Sequence, residues 1–260
     1  MRTGGRDGQG HIGTEAPRPP QPLPPLRPTL GILGGMGPSA TAEFLRLLAA
    51  RVPGTTDQEH PRILMLSDPS IPDRTAAVLA GSDAPLPPIR DGLFRLAEWG
   101  ADLLAVPCNT AHVYVDRLAP LLPAPVVHIV DATLEEAGRR SPRGGWLAAT
   151  TGTVASGLYQ ERAEALGYRL LLPGSGTQEA IHHTATLVKA GRSHQAGALL
   201  GTVVRGLWHR EHIPVLAACT ELPLAYTAAF LPPDMMISSL DALATACVRR
   251  LYQPVGAAPR

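Results

Sequence analysis

The stretch Leu103–His112, "LLAVPCNTAH", decides the fold when it is read beside Val215–Leu224, "VLAACTELPL". In each, an apolar run ends in a cysteine. Hydrogen-bonding side chains follow at once, Asn109 and Thr110 after Cys108, and Thr220 and Glu221 after Cys219. A short apolar run bounded by turn residues reads as a strand buried on both faces, the kind found in parallel sheets. Upstream of Cys108 the chain alternates: "TLGILGGMG" is a strand and glycine turn, "PSATAEFLRLLAARV" a helix, "RILMLSD" a strand and "PIRDGLFRLAEWGA" a helix. The order recurs upstream of Cys219, with "GGWLAATTGTVASGLYQERAEALG", "YRLLLPG" and two helical segments. From Gly31 to Cys108 is 77 positions and from Trp146 to Cys219 is 73. Strands alternating with helices build βαβ units. The expectation is two pseudosymmetric α/β domains with mainly parallel sheets. Ligands bind at the carboxyl ends of such strands, so facing halves bring both cysteines to one cleft.

The boundaries expected are a Pro- and Gly-rich tail over 1–28, a first domain over 29–128 plus 231–260, and a second over 129–230. The tail's composition cannot pack a core and samples extended states. Hydrophobic residues make up 45% of the chain and charged residues 17%, as in an ordinary globular protein. A formal charge of +1 and 4% aromatics supply neither a steering field nor a base-stacking platform, which argues against a nucleic-acid partner. No apolar run reaches the ~20 residues of a membrane span. The first residues hold no signal-peptide core, and three cysteines fit a reducing compartment, so the expected location is cytoplasmic.

Several motifs have competing readings. "GGMGPSA" matches the dinucleotide fingerprint only loosely; a turn whose backbone N–H groups face a small anion fits it better. Cys108 and His112 stand at C-x3-H spacing and His182–His183 are adjacent, but no third or fourth ligand converges, so no metal is expected. His112 reads as a polar support in a first helical turn. Cys247, at helical spacing in "ALATACVRRL", reads as a small core residue. Cys108 and Cys219 are harder to set aside, because they sit at matching places. Helix N–H groups beside each sulfur are expected to lower its pKa. Thiols on opposite sides of one carbon can remove a proton from one face and return one to the other. Lys189 is the only lysine among 23 basic residues, the rest being arginine, so it is either held by its chemistry or a remnant of chance. For Arg74 the plainer alternative is a salt bridge with Asp73 or Asp68. For Glu221 the alternatives are capping the following helix, the favoured one, or tuning the Cys219 thiol.

Taken together, "GILGGMGPSAT", "IPDRT", "PCNTAH", "ATTGTVASGLY" and "ACTELPL" resemble the aspartate/glutamate racemase family, and its aspartate racemase branch in particular. The resemblance implies a cofactor-independent amino-acid racemase that acts on a small acidic amino acid and forms a homodimer. Its two catalytic cysteines fall on Cys108 and Cys219. Its substrate-recognising arginine falls on Arg74 and its lysine on Lys189. Its carboxylate-binding residues fall on Asn109, Thr110, Thr150 and Thr220, with the Met36 loop opposite. The alternatives are an epimerase, isomerase or decarboxylase of another small carboxylic acid on the same fold, or a non-catalytic sensor that docks through its tail.

Overall fold

The computed structural model describes residues 27–252. The first half runs β1 (Leu30–Gly34), α1 (Pro38–Arg51), β2 (Ile63–Ser67), α2 (Arg74–Leu79), α3 (Leu86–Glu98), β3 (Leu103–Ala105), α4 (His112–Leu118) and β4 (Val126–Val127). Helix α5 (Ile129–Arg140) leads into the second half: β5 (Gly145–Ala149), α6 (Thr151–Ala155), α7 (Leu158–Ala165), β6 (Leu170–Leu171), α8 (Ser175–Lys189), α9 (Ser193–Arg210), β7 (Val215–Ala218), α10 (Leu222–Ala228) and β8 (Met236–Ser238). Helix α11 (Ser239–Tyr252) follows.

The strands form two four-stranded parallel sheets, ordered β2-β1-β3-β4 and β6-β5-β7-β8. The orders are the same, so β1 corresponds to β5 and β3 to β7. Strands β1, β5 and β7 are buried at every position, which is why their sequences are continuous apolar runs rather than alternating ones. Helix α1 begins at a proline in its first turn and buries Ala40, Thr41, Phe44 and Leu48, a stripe at helical spacing.

One core joins the halves. Leu30 and Ile32 of β1, Leu147 and Ala149 of β5, and Leu216 and Ala218 of β7 share it with Tyr159 and Cys247. Each fully buried aliphatic side chain of this kind contributes about 1.5–3 kcal/mol. Cys247 is therefore packing material, fully buried in α11.

Two expected boundaries shift. The segment from 231 onward is expected in the first domain, but Met236–Ser238 pairs with β7 and completes the second sheet. Only α11 returns to the first half, packing on α1 and α5. The expected tail lies outside the described residues except for Arg27 and Pro28. Arg27 stacks on the Tyr252 ring at 4.2 Å and donates to the Glu59 carbonyl, so it belongs to the folded body.

The halves touch closely where α6 meets α2. A Cβ added at Gly152 stands 2.7 Å from the Thr75 Cα, a backbone atom that cannot swing aside. Glycine to alanine inside a helix normally stabilises by about 0.5–1 kcal/mol. At Gly152 the clash reverses the sign, and Gly152→Ala is expected to destabilise by about 1–3 kcal/mol in urea unfolding. Gly138→Ala in α5, where nothing lies within 4 Å of the added Cβ, is the control and is expected to stabilise.

Candidate active site

The carboxyl ends of the inner strands of both sheets converge on a small cavity. Each end lies where strand order reverses, the switch point at which open α/β sheets hold ligands. The first half contributes Met36 after β1, Arg74 at the start of α2, and Cys108, Asn109 and Thr110 after β3. From the second half come Thr150 after β5, Lys189 at the end of α8, and Cys219 and Thr220 after β7. These are the nine residues on which the family's catalytic and substrate-binding positions fall. The cavity also takes in Glu221, weighed from the sequence as a cap or as a tuner of the thiol, together with Asp73 and Thr75.

Both thiols are nearly buried, Cys108 at 6% and Cys219 at 5% exposure, and both border the cavity. Their surroundings differ. The Cys219 thiol donates to Glu221 Oε2 at 3.1 Å, and the Thr220 hydroxyl donates to the same oxygen at 3.2 Å. Burial pushes the Cys219 thiol well above the ordinary range, and the Glu221 charge pushes it further. The expected lowering by helix N–H groups is overturned for this thiol: a backbone N–H contact works that way but is outweighed. Nor is Glu221 a helix cap. It occupies the N-cap position of α10 with helical dihedrals, makes no capping bond, and turns its carboxylate to the sulfur instead.

Behind Cys108 the partner is an imidazole. His112 Nδ1 donates to the Cys108 carbonyl at 2.8 Å, while Nε2 accepts from the Ile129 N–H at 3.4 Å. Burial and the neighbouring His128 hold its pKa well below the usual histidine range, so it stays neutral. This is the support role expected of His112, not metal ligation. His182 likewise accepts a backbone bond, from the Thr151 N–H, and His183 is exposed. Among the described residues no group of three or more His, Cys, Asp or Glu side chains is arranged to hold a metal ion.

The hydroxyls form a buried seam between the halves. Thr110 Oγ1 lies 3.0 Å from Thr150 Oγ1 and 2.7 Å from Thr153 Oγ1, and Thr150 and Thr153 are 3.0 Å apart. Asn109 is fixed from behind: Tyr159 donates to its Oδ1 at 2.6 Å, and its Nδ2 donates to Ser239 at 2.9 Å. The second N–H of the amide is left for the cavity. Tyr159 and Ser239 are not among the residues the sequence points to. Tyr159 stands inside the "ATTGTVASGLY" motif, which was the available signal; Ser239, 130 positions from Asn109, left none.

Arg74 makes no ion pair with Asp73 or Asp68. Its guanidinium donates to the carbonyls of Ile71, Pro72 and Met36, and its Nε has no partner among the described residues. Asp73 instead accepts from the Ala76 N–H, and Asp68 from Ser70. Lys189 makes no hydrogen bond or ion pair among the described residues. Burial of its ammonium works against its charge, but Glu221 and the two thiols outweigh that and raise its pKa.

The chain resembles known proteins in sequence and in fold. The family model described as Asp/Glu/Hydantoin racemase matches residues 33–247. The broad specificity amino-acid racemase RacX of Bacillus subtilis (strain 168) is 28% identical over 198 residues, covering 74% of this chain and 85% of its own. The structure of Picrophilus torridus aspartate racemase superposes with a TM-score of 0.76 at 28% identity, covering 86% of this chain and 93% of that one. An aspartate racemase homologue from Pyrococcus horikoshii OT3 shares the fold, with a TM-score of 0.70 at 21% identity over 86% of this chain and 99% of that one.

An ion network anchors the His112 side of the cavity. Asp116 meets His128 Nε2 at 3.0 Å and Arg162 of the second half at 2.7 Å, and Arg162 also reaches Asp131 at 3.0 Å. Burial works to raise the Asp116 pKa, but the hydrogen bonds from His128 and Arg162 prevail and bring it to about 2. That lies below the free value of 3.8, so the carboxylate stabilises the fold fully above that pH and ceases to as pH falls through about 2. Asp116 is 35% exposed, so solvent screening reduces the gain. Asp116→Asn is expected to cost about 1 kcal/mol at neutral pH in thermal or urea unfolding. The difference from wild type should close as pH approaches about 2.

Proposed function

The chain belongs to the Asp/Glu/hydantoin racemase family and is an amino-acid racemase of that kind, and from this premise we propose that it racemises aspartate without a cofactor, by two-thiol chemistry at Cα. The observation that carries the reading is that Cys108 and Cys219, at the ends of equivalent strands of two equivalent sheets, border one cavity.

Substrate lies between the thiols with its α-carboxylate on the free N–H of Asn109 and on the hydroxyls of Thr110, Thr150 and Thr220, whose single protons turn to it from the partners they hold at rest. These neutral donors stabilise the enolate-like form that appears when Cα loses its proton. Arg74, held rigid by three carbonyls, and Lys189 receive the side-chain carboxylate. One sulfur, as thiolate, takes the Cα proton from one face. The other, as thiol, delivers its proton to the opposite face, and the configuration inverts. The bond from Cys219 to Glu221 favours the protonated form of that sulfur at rest, so Cys219 starts as the acid and Cys108 as the base. General acid–base catalysis of this type contributes about 10²–10⁴-fold per group. The working form is a homodimer, as the family resemblance implies, and the low cysteine count fits a cytoplasmic location.

A second reading, a racemase that accepts longer side chains, has support of its own. A wider cleft of about 330 Å³ adjoins the first cavity and shares Asp73, Arg74, Lys189 and Glu221 with it. The Bacillus subtilis relative is named for broad specificity.

Incubation of purified protein with L-aspartate in deuterium oxide, without added cofactor, is expected to place deuterium at Cα and to produce D-aspartate. Cys108→Ser and Cys219→Ser are each expected to slow racemisation at least about 100-fold while leaving exchange from one enantiomer measurable. Faster turnover of longer amino acids selects the second reading. Absence of Cα exchange with aspartate, glutamate and neutral amino acids alike refutes both.

A further inference from the structure

The reading above gives both substrate carboxylates a partner and leaves the α-ammonium without one. We infer that Glu221 Oε1 is the group that receives it, an assignment that rests on the racemase reading.

The two oxygens of Glu221 have different fates. Oε2 accepts from the Cys219 thiol and from the Thr220 hydroxyl. Oε1 has no partner among the described residues, although Glu221 is only 3% exposed. A buried carboxylate oxygen without a donor is costly, so a donor is expected to arrive with the ligand. The residue borders both the catalytic cavity and the wider cavity beside it. The loop across from it carries no side chain at the point of approach: a Cβ added at Gly37 stands 3.2 Å from Oε1. Any larger residue there would cover the oxygen.

Position and charge lead to the same group. The Cys219 sulfur has to stand over Cα, and the ammonium is bonded to Cα, so an oxygen of the carboxylate that touches this sulfur is well placed for it. Aspartate brings two negative groups and one positive. Arg74 and Lys189 answer the negative groups, and one cavity anion is needed for the positive one. The candidates lining the cavity are Asp73 and Glu221. Asp73 is exposed and caps α2 through the Ala76 N–H at 2.7 Å. Glu221 is buried and holds an oxygen in reserve.

Binding of L-aspartate and of L-malate, which has a hydroxyl in place of the ammonium, is to be measured by calorimetry on wild type and on Glu221→Gln. Wild type is expected to prefer aspartate by about 10- to 100-fold, the range of a charge-assisted hydrogen bond. Glu221→Gln is expected to reduce that preference to under about threefold, mainly by weakening aspartate. Equal binding of the two acids by wild type overturns the assignment. So does an unchanged preference in the variant, which would leave Glu221 serving only the thiol. If Glu221→Gln fails to fold, Glu221→Asp carries the test: withdrawing the carboxylate by one methylene is expected to lower the preference at least about threefold, and an unchanged preference overturns the assignment. Deuterium exchange by wild type is scored separately. Exchange together with an unchanged preference sinks the Glu221 assignment alone, whereas absence of exchange from any amino acid sinks the racemase reading.

Discussion

Three threonine hydroxyls, Thr110 from one half and Thr150 and Thr153 from the other, meet within 2.7–3.0 Å in a buried triangle, and the site depends on that seam. Buried hydroxyls need partners, and here each finds them across the boundary between the halves. The triangle sets the distance between the loop after β3 and the start of α6. The same closeness appears in the backbone at Gly152 and Thr75. Tyr159 and Ser239 extend the seam sideways by gripping Asn109, and burial raises the Tyr159 phenol, so it remains a donor. With the seam closed, the ends of β3 and β7 face one another and the cysteines that follow them border a common space. Opened by even an ångström, the halves would leave several buried hydroxyls and amides unpaired, at about 1–3 kcal/mol each.

The two halves repeat in topology and differ in chemistry. Equivalent strand ends deliver a cysteine each, yet Cys219 is bonded to a carboxylate while Cys108 has a neutral imidazole on its own carbonyl. A symmetric backbone thus carries an asymmetric pair of sulfurs. A two-base reaction needs that asymmetry at every instant, because one sulfur has to be protonated when the other is not. In the proposed two-thiol reaction the enzyme would pass between two such states in each turnover, with the surroundings deciding which is occupied before substrate arrives. The bond from Cys219 to Glu221 is the asymmetry that would bias the resting state.

The sequence was most informative where a local pattern has a direct physical meaning. Continuous apolar runs with turn residues at their ends located β1, β3, β5 and β7, and the repeat in their order disclosed the doubling of the fold. The cysteines and their polar followers were readable because they stand beside those strands. Long-range choices were not readable in the same way. Nothing in "MIS" says that Met236–Ser238 pairs with β7 rather than joining the first sheet, since a short strand finds its edge through tertiary packing. The orientation of Glu221 was equally hidden. A glutamate three residues past a strand, ahead of a helix, looks like a cap; only the position of the sulfur shows why it turns inward. Ser239 reaches Asn109 from the start of the last helix, a contact for which sequence spacing gives no cue.

The two cations of the cavity illustrate the same division of labour in side chains. Arg74 is committed before any ligand arrives: three carbonyls hold its planar guanidinium in one orientation, and its unpartnered Nε is fixed with it. A fork held this way recognises a carboxylate by direction as well as by charge. Lys189 is the opposite case, a point charge on a flexible stem at the end of α8 with no partner among the described residues. Its attraction to Glu221 and to both thiols is long-range rather than bonded. In a chain that uses arginine at its other 22 basic positions, a lysine here is explained by that difference. A guanidinium at 189 would seek a bidentate partner, and the carboxylates nearby are Asp73 and Glu221. Drawing Glu221 into a permanent pair would take it from Cys219 and, on the proposed reading, from the substrate ammonium. A compact ammonium supplies positive potential to the cavity and leaves the glutamate free to serve both.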